Sequence, residues 1–156
     1  MPWDELPDSA EPSTWVEAAR AFFEPEGSLA RAKESSPFQF EERPQQRQMV
    51  DAVARSLARR RHLLVEAGTG VGKSFAYLVP LILACKDRDE RGMVSTCTIN
   101  LQEQLVYQDL PFLRDHLAVP FSWALGIGRS NYLCLRRLQY ALDHAPRLLP
   151  EANHVW

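Results

Sequence analysis

Glu66-Ala67-Gly68-Thr69-Gly70-Val71-Gly72-Lys73-Ser74 is the stretch that decides the predicted fold of this chain. Its three glycines at alternate positions allow backbone conformations that are closed to residues with a Cβ, so successive N–H groups can turn toward an anion. An apolar run precedes the stretch at residues 62–66, and a helical pattern follows it. Strand, glycine loop and helix in this order predict a loop that binds the phosphates of a nucleotide.

The chemistry of phosphate binding assigns the roles within the loop. The helix that opens near Gly72 contributes unpaired N–H groups and the positive end of its dipole. Lys73 is predicted to reach the β- and γ-phosphates of ATP, and the Ser74 hydroxyl to hold Mg²⁺, which makes these two the predicted catalytic residues of the loop. Ala67 replaces the first glycine of the strict pattern, but the glycines nearest the phosphates are present. The predicted nucleotide-binding residues here are Ala67, Gly68, Thr69, Gly70, Val71, Gly72, Lys73 and Ser74.

The overall composition excludes several classes of protein. Hydrophobic residues make up 46% and charged residues 24%, and the net charge of −2 indicates that any DNA-binding surface is local. No apolar run is long enough to span a bilayer, and the acidic amino terminus is unlike a signal peptide, so a cytoplasmic protein without a membrane partner is predicted. The three cysteines, Cys85, Cys97 and Cys134, form neither a disulfide framework nor a closely spaced zinc pair.

The pattern around the loop predicts an α/β fold with a parallel sheet flanked by helices. Apolar runs at residues 62–66, 93–97 and 121–125 are predicted strands, and residues 45–60 and 75–86 are predicted helices, the second kinked or divided at Pro80. A capping box at Asn100 and Glu103 predicts a further helix that ends near Pro111, and a last helix is predicted to end at Pro146.

Three further stretches carry a resemblance to a known family. They are Arg43-Pro44-Gln45-Gln46, then Thr96-Cys97-Thr98-Ile99-Asn100-Leu101-Gln102-Glu103-Gln104-Leu105, then Gly128-Arg129-Ser130-Asn131-Tyr132-Leu133-Cys134. Together with the phosphate loop, they resemble the amino-terminal part of a DinG-type, XPD-like iron–sulfur DNA helicase of superfamily two, over residues 38–138. The loop is shared by many ATPases, whereas the second and third stretches together are far more specific. The resemblance implies a RecA-like P-loop NTPase fold, truncated within the first motor domain.

The resemblance also implies binding roles outside the loop. Gln46 with Arg43 would form the adenine-sensing motif, since a side-chain amide can both donate to and accept from one base edge. The alternative is a glutamine in solvent at a helix start. Thr96, Thr98 and Gln104 would contact the backbone of single-stranded DNA. Helix capping and strand-end hydrogen bonds are the alternative for these three.

Cys134 matches the first of the four cysteines that hold the 4Fe–4S cluster of the family. Its three partners, the acidic pair that acts on Mg²⁺ and water, and the second motor domain have no counterpart in this sequence. Residues 141–145 resemble the acidic motif only superficially, because they follow a helical pattern rather than an apolar strand. We therefore expect an amino-terminal fragment, divided into a lead-in with a short helix (residues 1–36), a partial ATP-binding domain (37–128) and the start of an iron–sulfur insertion (129–156).

The function implied is ATP-dependent unwinding of single-stranded or forked DNA by the complete protein, which we expect to be a monomeric motor. ATP and Mg²⁺ would be its cofactors, with the 4Fe–4S cluster only in the complete protein, and the fragment alone is expected to be inactive. The alternatives are a stand-alone module that binds ATP without hydrolysing it and a small P-loop kinase. The missing acidic motif counts against a self-sufficient enzyme, and the three helicase-like stretches count against a kinase.

Overall fold

The computed structural model describes residues 14–32 and 43–148, so residues 1–13 and 33–36 of the predicted lead-in lie outside the described residues. The chain divides into two compact units, residues 1–123 and 124–156. In the first unit the helices are α1 (Thr14–Phe22), α2 (Ser28–Arg31), α3 (Pro44–Ala58), α4 (Lys73–Arg88), α5 (Ile99–Gln104) and α6 (Leu110–His116), with a π-helical segment at Leu105–Asp109. Within the described ranges, no helix is both long and apolar enough to cross a membrane.

The core of the first unit forms where α1, α3 and α4 pack against one another. Each of these helices carries an alanine with no exposed surface, namely Ala19, Ala54 and Ala76. Short side chains at helix contacts allow the two backbones to approach closely, which favours tight packing of the neighbouring large residues. The large buried residues of this core include Trp15, Phe22, Val50, Leu78, Val79 and Leu83.

Polar contacts at the edge of the core connect α1 and its following turn to α3. Arg20 pairs with Asp51 at 2.6 Å and Arg47 with Glu24 at 2.8 Å. All four side chains are between 39% and 45% exposed. Each ion pair therefore contributes at most about 1 kcal/mol to the stability of the fold. The short helix near the amino terminus therefore shares one core with the helices on either side of the phosphate loop.

Arg88, at the end of α4, connects three helices. Its guanidinium lies 5.8 Å from the centre of the Trp15 ring and donates to the carbonyls of Leu57 and Ala58 at 3.0 and 3.3 Å. The Leu57 carbonyl also accepts from the N–H of Arg60 at 3.2 Å, so Arg88 adds a donor from α4 to the carbonyl end of α3.

The predicted parallel sheet is not confirmed. Residues 62–66, 93–97 and 121–125 form no strand, and neither does any other segment of residues 14–32 and 43–148. Leu64 is 98% exposed and Met93 92% exposed, whereas the central strands of a parallel sheet are covered on both faces. A strand exists only through hydrogen bonds to a neighbouring strand, and an apolar run does not by itself provide that neighbour.

The predicted end of a helix near Pro111 is wrong, and of the two outcomes predicted at Pro80, a kink or a division of the helix, the division is wrong. Pro80 lies inside α4, which runs undivided from Lys73 to Arg88. Pro111 does not end its helix, because α6 continues to His116 and the preceding turn is π-helical. A proline clashes with the carbonyl four residues before it, and the wider π turn relieves that clash.

The start of α5 also differs from the predicted capping box. Thr98, rather than Asn100, is the N-cap, and its hydroxyl accepts a hydrogen bond from the N–H of Leu101 at 3.3 Å. A threonine oxygen is a favoured partner for the free N–H groups of a first helical turn.

The second unit contains a 3-10 turn at Arg129–Asn131 and helix α7 at Leu135–Leu148. The Tyr132 hydroxyl accepts from the N–H of Ile127 at 3.3 Å, which closes the turn. The expectation that Pro146 ends the last helix is wrong, since α7 runs two residues past it. Exposed large apolar residues of α7 include Leu135, Leu138, Tyr140 and Leu142.

Candidate nucleotide-binding site

The loop before α4 has the backbone that a phosphate cradle requires. Gly70 and Gly72 have φ angles of 80° and 81°, in the left-handed region where a side chain is strained. A Cβ built on Gly68 or Gly70 would meet no atom within 4 Å, so this side of the loop is open. The loop runs directly into the first turn of α4, whose N–H groups have no intrahelical acceptor. The observed arrangement fits the phosphates of a nucleotide.

Lys73 extends back across the loop from the first position of α4. Its ammonium donates to the carbonyls of Ala67 and Gly68 at 3.0 and 2.5 Å, and the side chain is exposed. These contacts hold the Lys73 ammonium beside the glycines of the loop. An anionic ligand bound there would be stabilised by its attraction to this positive charge. The contact of Lys73 with the β- and γ-phosphates of ATP stays a prediction.

Arg43 and Gln46 lie at the start of α3 and contact the loop directly. Arg43 Nη1 donates to the carbonyl of Gly70 at 2.6 Å, and Gln46 Nε2 donates to the carbonyl of Gly72 at 2.9 Å. Gln46 is one of the buried polar residues, with 7% of its surface exposed. The two predicted adenine-sensing residues are therefore in contact with the phosphate loop, and Gln46 is not the solvent-exposed glutamine of the alternative interpretation.

Ser74 and Tyr77 lie on the first turns of α4, next to a carboxylate that the sequence reasoning did not single out. Burial raises the pKa of the Asp109 carboxyl, while hydrogen bonds from Gln104 and Ser74 act in the opposite direction. Burial likewise raises the pKa of Tyr77, whereas Ser74 acts to lower it and the negative charge of Asp109 adds to the rise. A hydroxyl beside a carboxylate is hard-oxygen chemistry, which fits Mg²⁺.

A signal for Asp109 exists in the sequence. Leu105, Asp109 and Leu113 are four residues apart, so one acid lies on the apolar stripe of a predicted helix. An acid at a buried helical position requires a polar partner from another element. The apolar stripe in the sequence is enough to single out Asp109. Which polar groups lie near its carboxylate depends on how α4 packs, and the sequence does not show that.

The three predicted DNA-contacting residues differ in their surroundings. Thr96 is half-buried, Thr98 is exposed and caps α5, and Gln104 is exposed at the end of α5. Gln104 Nε2 donates to Asp109 Oδ2 at 3.4 Å. Thr98 and Gln104 thus both have intramolecular partners, as the alternative of capping and local hydrogen bonding anticipates.

Cys134 is exposed, as is Cys97, whereas Cys85 is half-buried. Across residues 14–32 and 43–148, no group of three or more His, Cys, Asp or Glu side chains is placed to hold a metal ion. An iron–sulfur cluster needs several thiolate ligands, so the surroundings of Cys134 do not fit one.

The left-handed glycine loop, the helix that follows it, and the Lys73 and Ser74 side chains define the class of P-loop nucleoside triphosphate-binding proteins. The sequence pattern of the DEAD/DEAH box helicase family matches residues 43–140. That match covers more than half of the chain, from Arg43 to Tyr140 within α7, and the chain belongs to this family.

Several curated proteins are similar to this chain. ATP-dependent DNA helicase YoaA of Escherichia coli (strain K12) is 44% identical over 117 residues, covering 75% of this chain and 17% of that protein. ATP-dependent helicase DinG of Mycobacterium tuberculosis (strain ATCC 25177 / H37Ra) is 50% identical over 106 residues, 64% of this chain and 16% of that protein. The 3'-5' exonuclease DinG of Bacillus subtilis (strain 168) is 37% identical over 103 residues, which cover 66% of this chain and 11% of that protein. The chain spans between 11% and 17% of the length of these relatives.

Proposed function

We propose that this chain supplies the nucleotide-binding part of an ATP-dependent DNA helicase. The observation that carries the proposal is the phosphate loop, whose Gly70 and Gly72 carbonyls accept hydrogen bonds from Arg43 and Gln46. Family membership and the printed names of the YoaA and DinG helicases support it. In the same proposal the fold is the beginning of a RecA-like motor domain, with residues 62–66, 93–97 and 121–125 as strands of its parallel sheet.

The residues of the loop bind ATP by electrostatics and position. The N–H groups of residues 67–74 surround the phosphates, Lys73 contacts the β- and γ-phosphates, and Ser74 holds Mg²⁺ through its hydroxyl. Bound Mg²⁺ neutralises charge on the β- and γ-phosphate oxygens. Arg43 and Gln46 hold the loop backbone through the carbonyls of Gly70 and Gly72, and in this proposal they recognise the adenine. Their contacts with the loop would make its geometry respond to the base.

The DNA track in this proposal begins at the start of α5. Thr96, Thr98 and Gln104 would contact the phosphates of single-stranded or forked DNA through hydroxyl and amide groups. The capping bond of Thr98 involves an exposed side chain, so its exchange for a phosphate contact costs little burial. A phosphate contact of Gln104 would in addition release the amide from the buried Asp109 carboxylate. The helicase is proposed to act in the cytoplasm as a monomeric motor.

The proposed division of the chain places a lead-in at residues 1–36, the partial ATP-binding domain at 37–128 and the start of an iron–sulfur insertion at 129–156. Cys134 would be the first cluster ligand only if other cysteines were brought to it, because the described residues provide no second ligand near it. The chain as given should therefore purify without iron, which iron analysis by mass spectrometry would measure.

Binding of a fluorescent ATP analogue in Mg²⁺ buffer tests the proposal. Lys73→Ala should weaken binding by at least about tenfold, since it removes a cation from the phosphates. Lys86→Ala is the matched control, because Lys86 is an exposed lysine in the last turn of the same helix. It should leave affinity unchanged.

Equal affinity of the wild type and Lys73→Ala would refute the loop as the nucleotide site. Turnover of ATP by this chain should be negligible, because phosphoryl transfer depends on clamping of the γ-phosphate and the acidic motif is absent from the sequence. Turnover of about 1 per second or more would favour a self-sufficient ATPase instead.

A further inference from the structure

The carboxyl-terminal ends of α3 and α4 lie side by side, away from the phosphate loop. Both helices begin at the loop, since α4 follows Gly72 directly and Gln46 at the start of α3 bonds to the carbonyl of that glycine. At their other ends, Arg88 of α4 donates to two carbonyls of α3. The 16 residues of α4 separate this end from the loop by about 24 Å. Residues 55–61 and 86–91 form it, the basic end of the unit.

The two turns that follow these helices have the same backbone arrangement. The N–H of Arg61 donates to the carbonyl five residues earlier at 2.9 Å, and the N–H of Glu90 does the same, also at 2.9 Å. Arg60 and Asp89, one residue before each donor, both have φ 52°. Glycine is the usual residue at this left-handed position, because a Cβ is strained there. Charged residues therefore occupy positions where glycine would be free of strain.

An ion pair joins the two turns. Arg60 Nη2 lies 2.8 Å from Glu90 Oε1. The Ser56 hydroxyl donates to the Arg61 carbonyl at 2.5 Å, so the backbone of this arginine is held on both sides. Cations that extend from fixed turns lose less entropy when they bind a partner than cations on a mobile segment.

The basic end carries more positive charge than its helices require. It contains seven Lys and Arg against three Asp and Glu, whereas the whole chain has a net charge of −2. The carboxyl end of a helix is equivalent to roughly half a negative charge, so two helix ends balance only about one cation. The exposed cations are Arg55, Arg59, Arg61, Lys86 and Arg91. This local excess indicates a partner with many negative charges.

The composition of the basic end favours duplex DNA as that partner. Six of its seven cations are arginines, whose planar fork matches phosphate oxygens. Residues 55–61 and 86–91 contain no Phe, Tyr or Trp. Single strands are commonly held by stacking of bases on aromatic rings, and protein interfaces depend on aromatic anchors. A duplex is stiff and its phosphates are evenly spaced, which suits cations on fixed turns.

We propose that the basic end of α3 and α4 binds the phosphate backbone of duplex DNA. Arg61 and Arg91 are the main contacts, because each is exposed and one lies at each turn. In a forked substrate, this surface takes the duplex while the start of α5 takes the single strand. The inference rests on the proposed function for the choice of DNA among polyanions, but it does not require the phosphate loop to bind ATP.

Fluorescence anisotropy with a labelled duplex, titrated with the full chain at several salt concentrations, tests this surface. Arg61→Gln with Arg91→Gln should weaken binding at least about tenfold near 0.1 M salt. It should also lower the slope of log affinity against log salt by about two, since each phosphate contact contributes roughly 0.9. Arg31→Gln with Arg114→Gln is the matched control, because it makes the same change of charge at exposed arginines elsewhere in the first unit. It should keep the wild-type slope.

Two further variants test whether the surface acts through its charge. Arg61→Lys with Arg91→Lys keeps both charges and should keep the salt slope; a slope as low as that of the glutamine pair would overturn the proposal. Asp87→Asn removes an exposed acid from the basic end and should raise duplex affinity about twofold. All these side chains are exposed, so each variant should unfold at the wild-type urea concentration.

Other outcomes separate this inference from its rival and from the proposed function. Unchanged duplex affinity in the glutamine pair would overturn it, and a loss of polyglutamate binding in the same variant would then assign the basic end to an acidic protein. A chain that binds the ATP analogue but no duplex would overturn this inference alone. A chain that binds duplex through the basic end but no analogue would overturn the ATP site alone.

Discussion

The side-chain amide of Gln46 donates a hydrogen bond of 2.9 Å to the main-chain carbonyl of Gly72. Gly72 is the N-cap of α4 and has φ 81° and ψ 37°, so the amide holds the loop at its left-handed residue. A Cβ on Gly72 would overlap the Gln46 amide. The glycine is thus required twice, by the backbone angle and by the closeness of its partner from α3.

Gly72→Ala should destabilise the chain by about 2–3 kcal/mol, since it combines left-handed strain with overlap of a buried side chain. Nucleotide affinity should fall with it. Urea unfolding and analogue binding measure the two effects. Gly68→Ala is the control, because a Cβ there meets nothing within 4 Å, and it should unfold like the wild type.

The double variant Gln46→Ala with Gly72→Ala separates the two causes. Removing the glutamine side chain relieves the overlap but leaves the strained φ angle, so stability should recover only in part. Full additivity of the two losses would contradict the close contact of these residues.

Phe22→Ala should destabilise the first unit by about 3–5 kcal/mol, because Phe22 is buried in the core shared with α3 and α4. The same urea titration should show a change within about 0.5 kcal/mol for Glu17→Ala, an exposed residue of the same helix. Similar stabilities for the two variants would mean that α1 does not pack on the ATP-binding part.

Thr98 variants separate capping from DNA contact. Thr98→Asp keeps an N-cap oxygen for the N–H of Leu101 and adds a negative charge, so helix stability should persist while affinity for single-stranded DNA falls. Thr98→Ala should cost about 1 kcal/mol of stability through the lost cap. Fluorescence anisotropy with a labelled oligonucleotide measures binding. Unchanged DNA affinity in Thr98→Asp would remove Thr98 from the proposed track.

Cys85 should be alkylated by iodoacetamide more slowly than Cys97 and Cys134. Burial raises its pKa, Glu90 adds to the rise and Arg88 opposes it, whereas the other two thiols are exposed. Mass spectrometry of peptides after timed labelling at pH 8 gives the order of reaction. Labelling of Cys85 first would contradict its half-buried position in the last part of α4.

The same thiol predicts a dependence of stability on pH. A folded-state pKa above the ordinary value of 9.0 contributes stability that is fully present below that value and is lost as pH rises through the folded pKa. Wild type should therefore lose stability relative to Cys85→Ala as pH increases above about 9. A constant difference across that window would show that the pKa is not raised.

The predictions from sequence succeeded where the cause is local. The phosphate loop was identified because positive φ angles need glycine, and the structure has them at Gly70 and Gly72. The helices around residues 45–60 and 75–86 were predicted from apolar spacing, and α3 and α4 occupy these regions. The predicted capping residue of α5 is wrong by two positions: threonine and asparagine are both favoured caps, and the structure has Thr98 in that place.

The prediction of a parallel sheet, whose cause is not local, is not confirmed for the described residues. The apolar run at residues 62–66 has the composition of a strand, yet Leu64 is almost fully exposed. Strand formation depends on a partner from elsewhere in the chain, so composition predicts a capacity rather than an outcome.

By itself, the sequence determined the phosphate loop, its lysine and serine, and the helicase family, because glycine angles and motif spacing depend on residues close together in the chain. Only the tertiary structure decided that Arg43 and Gln46 bond to the loop and that Asp109 lies beside Ser74. Arg43 and Gly70 are 27 residues apart, and Gln46 and Gly72 are 26 apart. Contacts at such separations form only when packed helices repay the entropy of closing the loops between them, and that packing is a property of the whole fold.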